Sequence, residues 1–498
     1  MSSIDSPDLD VAIIGAGFGG LGAAIQLRQH GIDNFIVFDK AGGVGGTWWV
    51  NRYPGCACDV PSHLYSFSFA PNPNWTRRYA TRAEIQAYLT GLVTRFDLEG
   101  HISLNTEIVQ ATWSDETRRW HLTNTSGRQW RARVLVPALG GLSRPAWPDI
   151  PGLDSFSGQI VHSQQWDEHV EVSGRRVAVI GTGASAVQLT PHVARHAKRL
   201  AIYQRTPNWI LPRPDRTIGP RRRALYRRLP WLQKLVRFGI WAISEMRVPA
   251  FLWSNHLADG HRWLANRHRR RQVDDPDTRE RLKPDYDIGC KRVLLASDFY
   301  PVFNEDHVEL VSDGIARVEP GAIVDTSGQR REVDTLILAT GFKATDPVPE
   351  GLIRGRGGHD LATNWRAGPE AYKGTTVSGF PNLFMLLGPN TALGHNSVVM
   401  MIESQIRYLL AALDHMRNED IETLEVRADA QQTWNDLLDQ RLEGSVWNSG
   451  GCRSWYLHPE TGRNSTLWPG FTLGFRRKLR RFDAENYRTS GRRSATAV

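Results

Sequence analysis

The hydrophobic positions of this chain form two similar stretches, each with a short apolar run, a glycine-rich turn and a longer periodic run. The first is LDVAIIGAGFGGLGAAIQLRQHG at positions 9–31, followed by the run FIVFDK. The second is RRVAVIGTGASAVQLTPHVARHAKRLAIYQRT at positions 175–206. Short apolar runs beside glycines are typical of buried strands, and longer periodic runs are typical of helices. The chain is therefore expected to be an α/β protein with two Rossmann-like folds.

The remaining patterns complete a predicted domain plan. The apolar runs VDTLILATGF (333–342) and NLFMLLGPN (382–390) predict strands that return to a parallel sheet. Between Pro220 and Pro284, Leu, Trp and Phe recur at roughly helical spacing among clustered arginines, which predicts a helical insertion. We expect one dinucleotide-binding domain at 1–145 plus 335–498, a second at 146–215 plus 285–334, and the insertion at 216–284. The last eight residues, GRRSATAV, predict a loose tail.

Composition is typical of a soluble, folded protein, since 41% of the 498 residues are hydrophobic and 23% are charged. The N-terminus, MSSIDSPDLD, is polar and acidic rather than basic and apolar, and no apolar run approaches the ~20 residues of a membrane span. A cytoplasmic location is therefore expected. Of the four cysteines, Cys56 and Cys58 are too close together for an ordinary disulfide, and Cys290 and Cys452 stand alone. Neither a disulfide framework nor a metal site is predicted.

The net charge of +9 is concentrated in one segment. Between Arg221 and Lys283 there are 16 Lys or Arg residues against 6 Asp or Glu residues, and the rest of the chain is nearly neutral. Such a segment has three interpretations: a solvated helical face, a weak contact with a membrane surface, or a nucleic-acid surface. The solvated face is favoured, and membrane contact comes second because Trp and Phe alternate with the arginines. No nucleic-acid partner is expected, because no known binding module accompanies the charge.

The first glycine turn has the chemistry of a dinucleotide site. Gly15, Gly17 and Gly20 satisfy GxGxxG between a predicted strand and helix, and Asp39 ends the next strand. The glycines allow a pyrophosphate to approach the helix N-terminus, and Asp39 would accept a hydrogen bond from a ribose hydroxyl. This pattern suits an adenosine without a 2′-phosphate. A tight glycine turn that binds nothing is the alternative.

The second glycine turn differs at the position that selects between nicotinamide cofactors. Gly181, Gly183 and Ala186 form the turn, and the following strand leads to Arg205 with no acid where NAD requires one. A guanidinium binds a 2′-phosphate through two parallel hydrogen bonds, so Arg205 favours NADPH, although an exposed arginine can also be a plain surface charge. Two dinucleotide folds imply two dinucleotides, with hydride passing between them.

The cysteine spacing narrows the reaction class. Disulfide reductases also hold two dinucleotide folds, but their redox cysteine pair follows the first fold, and Cys56 and Cys58 have the wrong spacing for it. A reduced flavin without a dithiol acceptor is left with oxygen or an organic acceptor. By elimination, monooxygenation is the leading reaction class.

Two longer motifs resemble those of the type I Baeyer-Villiger monooxygenases, within the class B flavin-containing monooxygenases. The segment FSGQIVHSQQWD matches the fingerprint FxGxxxHxxxW(P/D) through Phe156, Gly158, His162, Trp166 and Asp167. The segment GGTWWVNRYPGCACD matches a second pattern of that family through Gly46, Trp48, Tyr53, Pro54, Gly55 and Asp59. The resemblance runs from about Val11 to about Tyr487 and is weakest in the helical insertion. It implies FAD in the first fold, NADPH in the second, and oxidation of a ketone by O2 to an ester or lactone.

The resemblance also implies which residues contact the cofactors, and most of these lie in the glycine turns and the loops after them. The FAD set is Gly15, Gly17, Phe18, Gly20, Asp39, Lys40, Gly46, Thr47, Trp48, Asp59, Tyr65 and Val109. The NADPH set is Thr182, Gly183, Ala184, Ser185, Ala186, Gln188, Arg205, Thr206, Lys291 and Trp455. In the second set, Arg205, Thr206 and Lys291 would hold the 2′-phosphate, and Trp455 would touch the nicotinamide cofactor.

Arg292 and Asp59 are the catalytic residues that the resemblance implies. In the family, the reduced flavin adds oxygen, and the resulting peroxide must stay anionic to attack a ketone, so a permanent positive charge beside it is required. Arg292 would supply that charge and Asp59 would hold Arg292, although a carboxylate among arginines is often only a salt-bridge partner. His162 is interpreted as a structural, hydrogen-bonded histidine rather than an acid–base catalyst, although its ordinary pKa lies near neutrality.

Two other functions stay open. A flavin monooxygenase acting on nitrogen or sulfur shares both folds, but its fingerprint carries Tyr or Phe where this chain has Trp166. A non-catalytic NADP-sensing or lipid-binding protein is the remote alternative, and the intact motifs disfavour it. The 18 tryptophans are consistent with a bulky hydrophobic ketone. Cys56 and the segments GCKR, GPNTALGHNS and TLWPGF depart from commoner family members and leave the particular ketone open. The oligomeric state is not predicted.

Overall fold

A computed structural model describes residues 8–491, so the predicted tail after Gly491 lies outside the described residues. The first third of the chain contains β1 (Asp8–Ile14), α1 (Phe18–Gln29), β2 (Phe35–Phe38), α2 (Thr47–Val50), α3 (Arg82–Arg95), β3 (Ile102–Ser103), β4 (Ile108–Ser114), β5 (Arg119–Asn124), β6 (Gln129–Pro137) and β7 (Gln159–His162). The middle third contains β8 (Arg176–Ile180), α4 (Ala184–Ala194), β9 (Arg199–Tyr203), β10 (Ile210–Leu211), α5 (Pro220–Arg228), α6 (Pro230–Glu245), α7 (Val248–Leu252), α8 (Asp259–Gln272), α9 (Pro276–Arg281), β11 (Leu294–Leu295), β12 (Val308–Val311), β13 (Ile315–Glu319), β14 (Ala322–Asp325) and β15 (Arg330–Glu332). The last third contains β16 (Thr335–Leu338), β17 (Ile353–Arg354), α10 (Leu361–Asn364), α11 (Val399–Asn418), β18 (Ile421–Val426), α12 (Ala428–Glu443), α13 (Val446–Ser449), α14 (Thr472–Lys478) and β19 (Tyr487–Gly491).

The first predicted fold is built on a seven-stranded sheet in the order β17-β4-β5-β6-β1-β2-β3. Strand β1 is parallel to β2 and β6, whereas β4, β5 and β6 pair antiparallel. The buried pattern of β1 is nearly continuous, because helix α1 covers one face of the sheet and residues of later loops cover the other. Strand β1 is an inner strand of this sheet, and its carboxyl end leads directly into the first glycine turn.

The second predicted fold is built on a five-stranded parallel sheet in the order β12-β9-β8-β16-β7. Strand β16 pairs with β7 and β8, so residues 335–338 lie in this sheet, whereas the predicted plan assigned them to the first domain. The apolar run NLFMLLGPN forms no strand of its own. The run makes a single parallel bridge, between Leu383 and Leu135. Only a few backbone hydrogen bonds join it to the carboxyl end of β6, which is too few for a full strand.

The basic segment is helical, with α5 to α9 all falling between residues 216 and 284. Several of its large apolar side chains are exposed, although a solvated face was the favoured interpretation of the sequence. Among residues 8–491, no helix combines the length and the apolar composition that a bilayer crossing needs.

Cys290 and Cys452 form a disulfide, so the prediction that both stand alone is wrong. The pairing closes a loop with a sequence separation of 162 residues, and spacing along the chain gives no sign of so distant a partner. Cys56 and Cys58 are free, as their spacing requires. The disulfide joins the segment before Arg292 to the segment before Trp455.

Candidate active site

The first glycine turn joins β1 to α1 and is closely packed. Gly15 has φ of 111°, and a Cβ atom there would lie 2.5 Å from the carbonyl oxygen of Ala138. Gly17 caps α1, and a Cβ on Gly46 would lie 3.0 Å from the Cα of Gly17. The helix has neither a side-chain cap nor an acidic residue in its first turn, so its N-terminal N–H groups face the turn without a competing anion.

Aromatic residues of the predicted FAD set gather beside this turn. The Nε1 of Trp48 donates to the Oη of Tyr65 at 3.2 Å, and the rings of Phe18 and Tyr65 have centroids 5.0 Å apart. Burial raises the pKa of Tyr65 well above its ordinary value, so its hydroxyl stays protonated. Thr47 begins α2 and is exposed beside this cluster. The structure therefore brings together residues that are separated by up to about fifty positions in sequence.

Asp39 follows β2 directly, at the same sheet edge as the turn. Its Oδ2 accepts from the backbone N of Ala16 at 2.6 Å, and its Oδ1 accepts from the N of Ala41 at 2.8 Å. These bonds fix the carboxylate beside the glycine turn and leave lone pairs for a ribose hydroxyl. Lys40 is exposed near Glu107, and Val109 is exposed on β4, so both side chains lie at the protein surface.

The second glycine turn repeats the geometry of the first. Gly181 has φ of 109°, and a Cβ there would lie 2.6 Å from the carbonyl oxygen of Ala339. Gly183 caps α4 and faces open space, whereas Ala186 is fully buried against the sheet. Ala184 and Ser185 form the uncapped first turn of α4, and the Oγ1 of Thr182 donates to the carbonyl oxygen of Thr206. The turn is therefore open toward solvent at the helix N-terminus.

Two cations lie near each other at the end of β9. Arg205 is exposed directly after the strand, and Lys291 is partly buried with its Nζ 5.0 Å from the ring centre of Tyr286. Burial lowers the pKa of Lys291, and the charge of Arg205 lowers it further. This mutual repulsion would be relieved by a doubly charged anion between the two side chains.

Gln188, a member of the predicted NADPH set, lies one turn inside α4. Its Oε1 accepts from the Oη of Tyr53 at 3.0 Å and the N of Ala57 at 3.3 Å, and its Nε2 donates to the carbonyl oxygen of Ala57 at 3.0 Å. The side chain is committed to the loop of residues 53–59, which we call the Asp59 loop. It fastens this loop to the second fold.

Arg292 and Asp59 form a bidentate ion pair. The Nε and Nη2 of Arg292 donate to the two carboxylate oxygens of Asp59, each at 2.7 Å. Both side chains are largely enclosed, with 30% of Arg292 and 26% of Asp59 exposed. Burial alone would raise the pKa of Asp59, but the charge and hydrogen bonds of Arg292 outweigh it and hold that pKa below its ordinary value. The charge of Asp59 in turn raises the pKa of Arg292, so both groups are ionised at neutral pH.

The pair is surrounded by residues from distant segments. The carbonyl oxygen of Leu393 lies 3.5 Å from the Nη1 of Arg292, and Arg213 donates to the carbonyl oxygen of Cys58. Tyr456 is buried, and its pKa is raised by burial, with Arg292 and Asp59 both close enough to act on it. The neighbouring Trp455 is exposed, with its ring centroid 4.4 Å from that of Tyr456. Trp455 is therefore adjacent in sequence to Tyr456, a residue that lies near Arg292.

Neither free cysteine behaves as a reactive thiolate. Burial raises the pKa of Cys56 to about 11, and the hydroxyl of Tyr53 and the charge of Arg82 offset this only in part. Burial also raises the pKa of Cys58 far above its ordinary value. Both thiols stay protonated near neutrality, which agrees with the exclusion of a dithiol redox site.

His162 is fully buried at the carboxyl end of β7. Its Nδ1 accepts from the backbone N of Gln164 at 3.2 Å, and the rings of Trp147 and Phe342 lie 5.9 Å and 6.1 Å away. Burial lowers its pKa, which keeps the ring neutral. His162 has no contact with Arg292 or Asp59, and this environment fits a structural histidine that fixes the link between the two folds.

The sequence interpretation missed a buried carboxylate, Glu245, at the end of α6. Its Oε1 accepts from the Nδ2 of Asn396 at 2.6 Å and the Oγ1 of Thr472 at 2.9 Å, its Oε2 accepts from the N of Thr472 at 2.9 Å, and the Nε2 of His395 lies 3.3 Å away. His395 and Asn396 belong to GPNTALGHNS, which the sequence interpretation noted only as a departure from common family members. No sequence signal pointed to Glu245, because it lies among the charges of the basic segment.

We expect Glu245→Gln to lower the free energy of unfolding by about 2 kcal/mol at neutral pH, because hydrogen bonds to a buried charge are lost. The pKa of Glu245 is below its ordinary 4.5, since the hydrogen bond and charge of His395 outweigh burial. The carboxylate therefore stabilises the fold fully above the unfolded pKa, and this contribution is lost as pH falls through the folded pKa. Denaturant unfolding should show the gap between the two proteins shrinking below about pH 4.5. The exposed Glu443→Gln is the control; a gap that widens in acid would contradict the assignment.

Comparisons with known proteins agree with this geometry. The family model described as pyridine nucleotide-disulphide oxidoreductase matches residues 12–229. A Baeyer-Villiger monooxygenase of Pseudomonas aeruginosa is 51% identical over 96% of this chain and 90% of its own length. The structure of an oxidised steroid monooxygenase bound to NADP is 32% identical with a TM-score of 0.84, covering 95% of this chain and 97% of its own. OTEMO, solved in complex with FAD and NADP, is 27% identical with a TM-score of 0.84, covering 98% and 100%. The resemblance drawn from the motifs is confirmed: the chain belongs to the Baeyer-Villiger monooxygenases.

Proposed function

We propose that this protein uses FAD, NADPH and O2 to oxidise a hydrophobic ketone to an ester or lactone. The observation that carries the proposal is the enclosed ion pair of Arg292 with Asp59, which brings a permanent positive charge to the Asp59 loop between the two glycine-turn folds. An arginine whose guanidinium donates two parallel hydrogen bonds to one carboxylate keeps a fixed orientation. Membership of the Baeyer-Villiger monooxygenases agrees with this reaction.

The residues of the first fold fit FAD. The uncapped N-terminus of α1 is preceded by glycines whose backbones lie in close contact, so an anionic pyrophosphate can approach the helix N–H groups. Asp39 is fixed at the adjacent strand end, where a ribose hydroxyl would donate to it. Trp48 and Tyr65 supply aromatic rings beside the same turn, with centroids 5.6 Å apart in an edge-to-face arrangement. We infer that these groups hold the diphosphate, the ribose and the ring system in that order.

The residues of the second fold fit NADPH. Gly183 opens the N-terminus of α4 to solvent, and Thr182, Ala184 and Ser185 surround the same opening. Arg205 and Lys291 form a cationic pair at the end of β9 that suits the extra phosphate of NADPH. Trp455 is exposed near Tyr456 and would cover the nicotinamide end.

Bound FAD would supply the redox chemistry, which is the acceptance of hydride from NADPH and the activation of O2 for transfer to the ketone. Arg292 would stabilise negative charge on the oxygen being transferred and on the ketone oxygen as the carbonyl is attacked, because its own charge cannot be lost. Asp59 holds the guanidinium in a single orientation through two hydrogen bonds. The buried rings of Trp48 and Tyr456 would help to exclude water around the reacting groups, which would strengthen the electrostatic effect of Arg292.

The proposal is tested by following NADPH oxidation in air by FAD-loaded protein with a panel of cyclic, aromatic and polycyclic ketones. Mass analysis should find products heavier by one oxygen atom, and NADH should be a poor substitute. Oxidation of amines or sulfides without any ester or lactone would move the protein to the nitrogen- and sulfur-oxidising branch. A purified protein without flavin absorbance and without NADPH consumption would overturn the proposal.

Arg205→Ala is expected to raise the KM for NADPH by roughly 10- to 100-fold, since a charged hydrogen-bonding contact with a phosphate is lost. The KM for NADH should hardly change, because NADH lacks the 2′-phosphate. Steady-state kinetics with both cofactors measures the ratio. Arg199→Ala, at the opposite end of β9, is the matched control. Equal losses with both cofactors would show that Arg205 does not select between them.

A further inference from the structure

Helix α6 is amphipathic with its apolar side facing outward. Trp231, Leu235 and Phe238 are spaced four and three residues apart, so they lie on one face, and Met246 follows the helix on the same side. Their exposed fractions are 61%, 57%, 59% and 70%. A helix of a globular protein normally turns such a face to the core, and a large exposed apolar patch marks an interaction site.

The opposite side of α6 faces the protein and carries polar side chains that bond to loop carbonyls, beside Leu232 and Val236, which pack against the core. The Nη1 of Arg237 donates to the carbonyl oxygens of His63 and Ser66, each at 2.8 Å, and the Nε2 of Gln233 donates to the carbonyl oxygen of Asn72 at 2.7 Å. Each of these bonds satisfies a loop carbonyl that would otherwise need water. The orientation of α6 is therefore fixed by specific hydrogen bonds and is not a result of loose packing.

The exposed apolar side chains of α6 continue onto neighbouring elements. We define the outward apolar face as Trp231, Leu235, Phe238, Ile243, Met246, Trp253, Leu257, Phe471 and Leu473. The rings of Trp253 and Phe471 lie 6.3 Å apart, and the Nε1 of Trp241 donates to the Oγ1 of Thr472 at 2.9 Å. These contacts join α6, α7 and the start of α14 into one surface.

Cations lie on α6 and on α5, the helix that packs against it. Arg221, Arg222, Arg227, Arg228 and Lys234 are all exposed, and within residues 8–491 none of them forms an ion pair with a carboxylate. A contact between two copies of this face across a two-fold axis would bring these cations together, and repulsion disfavours it. These cations would instead attract an anionic surface. Of the anionic surfaces, a lipid bilayer has an apolar interior that can also accept the exposed tryptophan and leucine side chains.

We propose that the outward apolar face docks on the surface of a membrane containing anionic phospholipids. The apolar side chains enter the boundary between headgroups and acyl chains, while the arginines contact lipid phosphates. The face also lies close to the candidate active site. Glu245 at the end of α6 holds Asn396 and Thr472, and Leu393, three residues before Asn396, contacts Arg292. A lipophilic ketone dissolved in the bilayer would therefore meet the protein on the side nearest to Arg292.

Co-sedimentation of the FAD-loaded protein with vesicles tests the docking without any measurement of activity, so its failure leaves the proposed ketone oxidation untouched. Vesicles of phosphatidylcholine and phosphatidylglycerol in equal amounts should bind the protein, and phosphatidylcholine alone should bind it at least about tenfold more weakly. Raising the salt concentration should weaken the binding, because exposed charges are screened.

Matched variants separate the two contributions. Arg227→Glu with Arg228→Glu should weaken binding to anionic vesicles by roughly 30-fold or more, whereas Lys198→Glu with Arg199→Glu, the same charge change elsewhere, should have a smaller effect. Leu235→Ser should weaken binding by at least about fivefold, and the exposed Leu142→Ser should not. Equal binding to both kinds of vesicle, binding that survives Leu235→Ser, or a dimer in light scattering that Leu235→Ser abolishes would overturn the proposal.

Discussion

Replacing Arg292 with alanine is expected to lower ester or lactone formation by about 10²- to 10³-fold, while the flavin is still reduced by NADPH. In the proposed reaction the guanidinium would keep a positive charge beside the ketone at any working pH, and a lysine could not replace it in the same bidentate geometry. NADPH consumption should become uncoupled from product, with hydrogen peroxide released in its place. Anaerobic bleaching of the flavin measures reduction, and mass analysis measures ester.

Two variants control this prediction. Arg292→Lys keeps a charge but loses one of the two hydrogen bonds to Asp59, so its ester yield should fall between those of wild type and Arg292→Ala. Arg176→Ala removes an arginine that also contacts both oxygens of an aspartate, Asp334, but at the amino end of β8, the end away from the second glycine turn, and it should leave the yield unchanged. Ester formation by Arg292→Ala at the wild-type level would refute the assigned role.

Cys452→Ser is expected to lower the free energy of unfolding by several kcal/mol. The lost bond closes a loop of 162 residues, for which the chain-entropy relation gives about 5 kcal/mol. Cys452 is only partly buried, so replacement by serine leaves no large cavity. Denaturant unfolding with and without a dithiol reductant measures the effect, and the reductant should destabilise the wild type to about the level of the variant.

Cys56→Ser serves as the control, because Cys56 is a free thiol and its replacement removes no covalent link. The stability of Cys56→Ser should still respond to the reductant as the wild type does. Mass mapping of peptides under non-reducing conditions identifies the bond directly. A wild-type protein in which Cys290 and Cys452 are both alkylated without reduction would contradict the pairing.

The α/β fold and the family could be predicted because their signals are local. Positions 15 and 181 require glycine because the backbone has a positive φ there. A Cβ atom would also lie only 2.5 Å and 2.6 Å, respectively, from a carbonyl oxygen. Constraints of this kind appear in the sequence as a short motif of adjacent residues. The pairing of Arg292 with Asp59 was reached only through the resemblance to a family. Their separation of 233 positions leaves no mark on periodicity or spacing.

Features that depend on tertiary contacts could not be predicted from the sequence. The disulfide of Cys290 with Cys452 needs two distant segments to meet, and strand β16 joins the second sheet because it pairs with β7 and β8. The periodicity of α6 indicated an amphipathic helix but not which side faces inward. That orientation follows from loop carbonyls that accept from Arg237 and Gln233, and their positions are known only in the folded chain.

The side-chain amide of Gln188 bonds the Asp59 loop to the second fold, which the position of the loop in the sequence does not suggest. The loop belongs in sequence to the first fold, yet two hydrogen bonds to Ala57 and one to Tyr53 tie it to α4, and Arg292 ties it to the segment before β11. The N of Cys58 also donates to the carbonyl oxygen of Ala80 at 3.0 Å, and the N of Arg82 donates to the carbonyl oxygen of Cys56 at 2.9 Å, so the loop is bonded to both folds. Any rotation of the second fold against the first would therefore act directly on the loop that carries Asp59, and through Asp59 on the orientation of Arg292.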